Sequence, residues 1–237
     1  MLDPILAIRS ESTVIADLVA RPGTVLDARV PSCPDWALRD LVLHIGGVQR
    51  FWAANVIAAD ATVPTGPEDT STPSDAALAD WMRASTDVLL ATLADADDSA
   101  PCWVWWGEPA TVAAVARHQV QEAAVHRWDA ELALGTPEAL EPAVADDGVA
   151  EFLEVMLSPG TAALRGRPPA ALPGTVVLAA TDTGGRWTAG GAGKGATVRA
   201  TASDLVLLLY GRLPLPDVEV QGDTSLVEAL LDAVRSG

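Results

Sequence analysis

The sequence predicts an α+β chain in which a bundle of four long helices is followed by a small domain of mixed helix and strand. Three observations carry this reading. Four long segments within the first 135 residues space their apolar side chains at a helical period. Beyond about residue 140 the pattern changes to short apolar runs separated by Gly- and Pro-rich turns. With 237 residues, 49% of them hydrophobic and only 20% charged, the chain can bury a real core in each part. The boundary falls within residues 140–170, and the domains are taken as 1–140 and 141–237.

The first helix spans residues 3–20, with Ile5, Ile8, Ile15 and Leu18 in a loose period. The second spans 35–59 and follows SCPDW, where Ser32 or Asp35 can cap and Pro34 sits near the first turn. Its stripe runs through Leu41, Val48, Phe51 and Trp52. A Pro/Thr/Asp-rich loop leads to STPSD and a third helix over 75–95, with Leu78, Trp81, Val88, Leu89 and Leu93. The fourth covers 109–134 and stops at Gly135, a C-cap signal. Residues 145–157 continue as helix, and SPGTAALRGRPPAALPG reads as a loop or linker. TVVLAAT and GRWTAG then form a hairpin turning at Asp182 to Gly185. ATVRATA is a third strand, SDLVLLLYGR a helix capped by Ser203, DVEVQG a fourth strand and DTSLVEALLDAVRSG the last helix.

Charge excludes several functions. The formal net charge of -17 repels nucleic acid and anionic lipid. The first residues lack the basic start and unbroken apolar run of a signal peptide, and no window is apolar for the roughly 18 residues of a membrane span. Cys33 and Cys102 are far apart and form no CxxC motif, so reduced thiols and a cytoplasmic location are expected. Lys194 is the only lysine, which with the many alanines points to a GC-rich bacterial genome.

Candidate chemistry gathers in HQVQEAAVHRWDAE, which holds two of the three histidines. On a helix, His118, Glu122 and His126 advance about 40° per step and share one face. Ordinary helix-surface pairing explains this spacing; so does a metal site. The two histidines are separated by roughly 12 Å of rise, so one ion takes Glu122 with either His118 or His126, and spacing does not choose between them. The third ligand is then His44, which shares a face with Leu41, Val48 and Phe51 and meets Glu122 if the second and fourth helices pack together. Two histidines and a glutamate suit zinc and leave a coordination position open, as catalytic sites do; nickel, cobalt or iron fit the same set. Gly46 and Gly47 permit either a close helix approach or a kink.

At these residues the chain resembles the mycothiol-dependent maleylpyruvate isomerase family. VPSCPDWALRDLVLHIGGVQRFWAANV is similar to its first signature, QEAAVHRWDAELALG to its second and TASDLVLLLYGRLPL to its C-terminal segment. The departure is Asp35, where the family usually has glycine. The resemblance implies a DinB-like four-helix N-terminal domain followed by a small sterol-carrier-like α+β domain. It places the divalent metal on His44, Glu122 and His126, which leaves His118 on the helix surface or in support. Asp129 lies three residues past His126 on nearly the same face, a catalytic neighbour that either holds a ligand or accepts from metal-bound water; a plain salt bridge to Arg127 or Arg50 is the alternative. Arg212 matches the family's C-terminal arginine, which would face the anionic substrate or the thiol cofactor. Trp103, Trp105 and Trp106 line a pocket or pack a core.

The expected activity is therefore metal-dependent isomerisation of, or S-transfer to, an electrophilic small molecule such as maleylpyruvate, with zinc and mycothiol as cofactors, in a monomeric actinobacterial protein. The competing readings are a zinc-dependent hydrolase, lyase or cyclase that uses no thiol, with Asp129 as base, and a non-enzymatic binder of metal or small ligand.

Overall fold

The computed structural model describes residues 2–235 apart from 167 and 170. It divides into two compact units. The first holds the chain up to Val104 together with Pro109–Glu138; the second holds Trp105–Glu108 and everything from Ala139 onward.

The first unit is built on α1 (Pro4–Ala20), α2 (Leu38–Ala58), α3 (Leu78–Asp95) and α4 (Val112–Ala133). Asp3 caps α1 through a 3.1 Å bond from the Leu6 amide, and Thr111 caps α4 through one from Ala114. Gly135, at φ +79°, follows the end of α4, where a left-handed residue releases the chain. Helices α1 and α2 each pack against both α3 and α4. Ile15, Leu38, Leu41, Ile45, Leu78 and Met82 fill the space between them. One core layer is polar: Gln49 donates to Ser12 and accepts from Thr86, both at 2.8 Å, so the burial of these groups is compensated.

Helix α2 starts later than its sequence signal. Residues Cys33–Ala37 form strand β2, paired antiparallel with β1 (Arg29–Val30), and neither Ser32 nor Asp35 caps the helix. The Asp40 side chain instead accepts from the Ala37 amide. Pairing with β1 holds Cys33–Ala37 extended, and the Leu38 and Arg39 amides donate to the Ala28 and Leu26 carbonyls, so the helix starts at Leu38. Helix α3 is led in by a 3-10 turn over Asp75–Ala77. Gly46 settles the glycine question for α2: a Cβ there would sit 2.1 Å from the Trp81 ring, so the glycine lets α3 approach, whereas Gly47 faces open space.

The second unit carries α5 (Pro142–Met156), α6 (Pro159–Leu164), β3 (Thr175–Ala180), β4 (Arg186–Gly190), β5 (Gly195–Ala200), α7 (Ala202–Leu209), β6 (Glu219–Gly222) and α8 (Thr224–Arg235). The sheet order is β4-β3-β5-β6, with β3 and β5 parallel and the other pairs antiparallel. Val176, Leu178 and Val198 point to the covered face, against which α7 and α8 pack. Helix α7 also meets α5, and Leu205 to Leu209 are all buried. Three sequence expectations are corrected here. Helix α5 begins at Pro142, capped by Glu141, because proline suits the first turn. The supposed linker contains α6, which Ser158 starts by accepting from Thr161. The cap of α7 is Thr201; Ser203 lies inside the helix and accepts from the Leu140 amide at 3.0 Å. The last two residues of the sequence-predicted final helix lie outside the described residues.

Candidate metal centre

Helix α2 presents His44 and α4 presents His118, Glu122 and His126, and the packing of α2 on α4 brings the four side chains together. Glu122 Oε2 lies 3.8 Å from His44 Nε2 and 3.6 Å from His126 Nε2. Its other oxygen lies 3.7 Å from His118 Nε2. These separations exceed hydrogen-bond range, and Glu122 Oε2 is a buried atom with no hydrogen bond among the described residues. Burial pushes the Glu122 carboxyl up, but its polar contact with His44 and the charges of His126, His118 and His44 outweigh that and hold it down at about 2. The carboxylate is therefore an anion within a ring of imidazoles.

The donor set fits a divalent cation. One ligand atom from each of His44, Glu122 and His126 lies within 4.8 Å of the other two. Four ligands at zinc's bond lengths of about 2.1 Å stand about 3.4 Å apart at tetrahedral angles, close to the spacing of Glu122 Oε2 from the two imidazoles. An unbonded, buried carboxylate oxygen facing two ring nitrogens at that spacing is a cradle for a cation. His44 is the most open of the three, with 34% of its side chain exposed, so the set faces solvent from that side.

Neighbouring groups fix the rings. His126 Nδ1 is 2.9 Å from Asp129 Oδ2, and the Ser32 hydroxyl donates to Asp129 Oδ1 at 2.5 Å. A carboxylate accepting at Nδ1 leaves the Nε2 lone pair facing Glu122. Of the two arginines named as salt-bridge partners for Asp129, Arg50 donates to Ser85 and lies 3.7 Å from Asp69, while Arg127 bonds Glu11 and Glu131 at 2.8 and 2.6 Å. His118 is buried, not on the helix surface, and its ring meets Trp52 edge-on at 6.1 Å. The β1–β2 hairpin supplies groups that the sequence did not assign to the site. Trp36 lies over His44 with 4.7 Å between ring centroids, and Ser32 and Cys33 reach Asp129. The signal for them is SCPDW, which in sequence reads as a helix start and as part of the first family signature but not as a source of site residues.

The three tryptophans before α4 separate. Trp103 stacks at 6.0 Å on Trp52 in the first unit, and it is Trp52 that meets His118. Trp106 is buried in the second unit, where its carbonyl accepts from Ser158 and its ring meets Trp105 edge-on. Arg212 also belongs to the second unit. It donates to the Tyr210 carbonyl at 2.8 Å and lines a cavity of about 260 Å³ with Arg165, Arg235, Tyr210 and Phe152.

Comparison with known proteins agrees with this architecture. Residues 8–131 match the family model described as mycothiol maleylpyruvate isomerase N-terminal domain, and residues 143–229 match the MDMPI C-terminal domain. No curated protein matches the chain. A crystal structure of the mycothiol-dependent maleylpyruvate isomerase is similar, with a TM-score of 0.67 and 13% sequence identity, covering 93% of this chain and 92% of that one. A histidine-to-alanine mutant of that enzyme gives a TM-score of 0.66 at the same identity and coverage. At that identity the likeness is one of fold. No helix among the described residues is long and apolar enough to cross a membrane. With both domain models matched in order, and the first alone taking more than half of the sequence, the chain belongs to the mycothiol maleylpyruvate isomerase family.

Proposed function

We propose that this protein is a metal-dependent enzyme that uses mycothiol for isomerisation of, or S-transfer to, an electrophilic small molecule such as maleylpyruvate. The observation that carries the proposal is the buried Glu122 oxygen between two imidazole Nε2 atoms, in a chain of this family. His44, Glu122 and His126 would hold the cation, zinc by ligand type. When bound, the cation supplies Lewis acidity and favours the thiolate over the thiol.

The protein's own groups prepare that chemistry. Asp129 accepts the Nδ1 proton of His126 and so fixes the tautomer that presents Nε2. Ser32 holds Asp129 in turn. His118 faces Glu122 Oε1, the oxygen not directed at His44, and favours the anionic form of the carboxylate. Two neutral imidazoles and one carboxylate leave a divalent ion with a net charge of about one, so the site remains electrophilic. Arg212 is proposed to bind a carboxylate of the substrate or the thiol, by charge-assisted hydrogen bonds. The thiol-free alternative with Asp129 as base is disfavoured, because both Asp129 oxygens are engaged and the side chain is fully buried.

The test combines metal analysis with turnover. Purified protein should contain a divalent metal and convert maleylpyruvate only when mycothiol is added, and Glu122→Ala should lose both properties. A Glu122→Ala protein that keeps metal and activity sinks the assignment. Turnover without thiol sinks the role of mycothiol.

A further inference from the structure

His126 belongs to a second group of ligand-type side chains. Cys33 Sγ, a His126 ring nitrogen and an Asp129 carboxylate oxygen all lie within 4.8 Å of one another, as the atoms of the first set do. The two sets share only His126. They sit on opposite edges of its ring: Glu122 faces Nε2 at 3.6 Å, and Asp129 sits at Nδ1 at 2.9 Å. Cys33 is half-buried at the start of β2, which gives an ion a way in, while Asp129 is fully buried behind it.

We propose that Cys33, His126 Nδ1 and Asp129 form a second cation site, selective for thiophilic divalent ions and exclusive of the first. Thiolate, imidazole and carboxylate together favour zinc or cadmium over magnesium or calcium. The proton balance is simple. Coordination releases the Cys33 thiol proton to solvent, and the His126 proton moves from Nδ1 to Nε2. No oxidation state changes. With a proton on Nε2, His126 no longer offers that lone pair to the His44–Glu122 set, so an ion at the Cys33 site disarms the other. The consequence is sensitivity to excess thiophilic metal. The proposal depends on the catalytic reading only for the exclusion, not for the existence of the Cys33 site.

The test is a cadmium chloride titration of the metal-free full chain, read by the ultraviolet thiolate-to-cadmium charge-transfer band. His44→Ala, which cripples the first set, should keep the band; the double variant with Cys33→Ser should lose it while retaining its far-ultraviolet circular dichroism. Cys33→Ala serves if the serine variant does not fold. Cys102 is fully buried and belongs to neither set, so Cys102→Ser should leave the band intact. Zinc-loaded wild-type protein should release its zinc as the band grows. Absence of the band in His44→Ala, or its persistence in both Cys33 variants, overturns the site. A band that grows with no zinc release overturns the exclusion. Failure of the catalytic reading is distinct: it appears as the His44→Ala, Cys33→Ser double variant retaining zinc, whatever the band does in His44→Ala.

Discussion

Arg127 is among the most constrained residues of the bundle. It is buried, yet it holds two buried carboxylates, Glu11 on α1 and Glu131 on α4, and donates to the Glu138 carbonyl at 2.9 Å. Removing it strands two anions away from water, so Arg127→Ala should cost about 3–5 kcal/mol in urea unfolding. Asp129 acts through another residue, and its prediction is correspondingly selective. Asp129→Asn should weaken divalent-metal affinity about 10–100-fold in chelator competition. Cys102 gives a pH prediction. Burial raises its thiol to about 11, above the value near 8.5 of an unfolded cysteine. A raised folded pKa means that the thiol's contribution is complete below about pH 8.5 and fades as pH climbs toward 11. Wild type should therefore lose stability relative to Cys102→Ala across that window, and Cys102 should resist iodoacetamide at pH 8 until the chain is unfolded.

Among the elements, α2 shows how a single backbone position sets helix packing. The Trp81 ring occupies the space a Cβ would need at Gly46, while nothing lies within 4 Å of that point at Gly47. Alanine gains about 1 kcal/mol of helix propensity at either position, but overpacking at Gly46 costs about 1–3 kcal/mol. Gly47→Ala should raise the midpoint of denaturant unfolding and Gly46→Ala should lower it. Equal shifts in the same direction would show that Trp81 does not need the gap. The β1–β2 hairpin places Trp36 over His44 and Ser32 on Asp129, so its register decides the surroundings of the site as directly as the helices do.

For the whole molecule, the candidate ligands join α2 to α4 within one unit, and the unfolded chain cannot bring them together. An ion bound only by the folded state stabilises it by mass action, about 2.7 kcal/mol at a hundredfold excess over the dissociation constant. The melting temperature should rise with zinc concentration in wild type and stay flat in the His44→Ala, Cys33→Ser double variant. Helical periodicity revealed the bundle early, because four amphipathic stripes leave few other ways to bury Ile15, Leu41, Ile45 and Met82. Caps and boundaries were less legible. Ser32, Asp35 and Ser203 are all competent caps in isolation, but Ser32 bonds Asp129 and Ser203 accepts from the Leu140 amide, partners far away in the chain. Likewise, spacing left both glutamate–histidine pairs on α4 open.

By itself the sequence determined the composition of each part, the helices of the bundle, the strands of the second unit and the shared face of His118, Glu122 and His126. These follow from local periodicity and residue chemistry, which act over a few residues. Only the tertiary structure decided that His44 meets Glu122 and His126, that Asp129 takes the Nδ1 edge and that His118 is buried. Each is a contact between segments distant in the chain or a matter of burial, set by how α2, α4 and the hairpin pack, and no local spacing encodes such a packing.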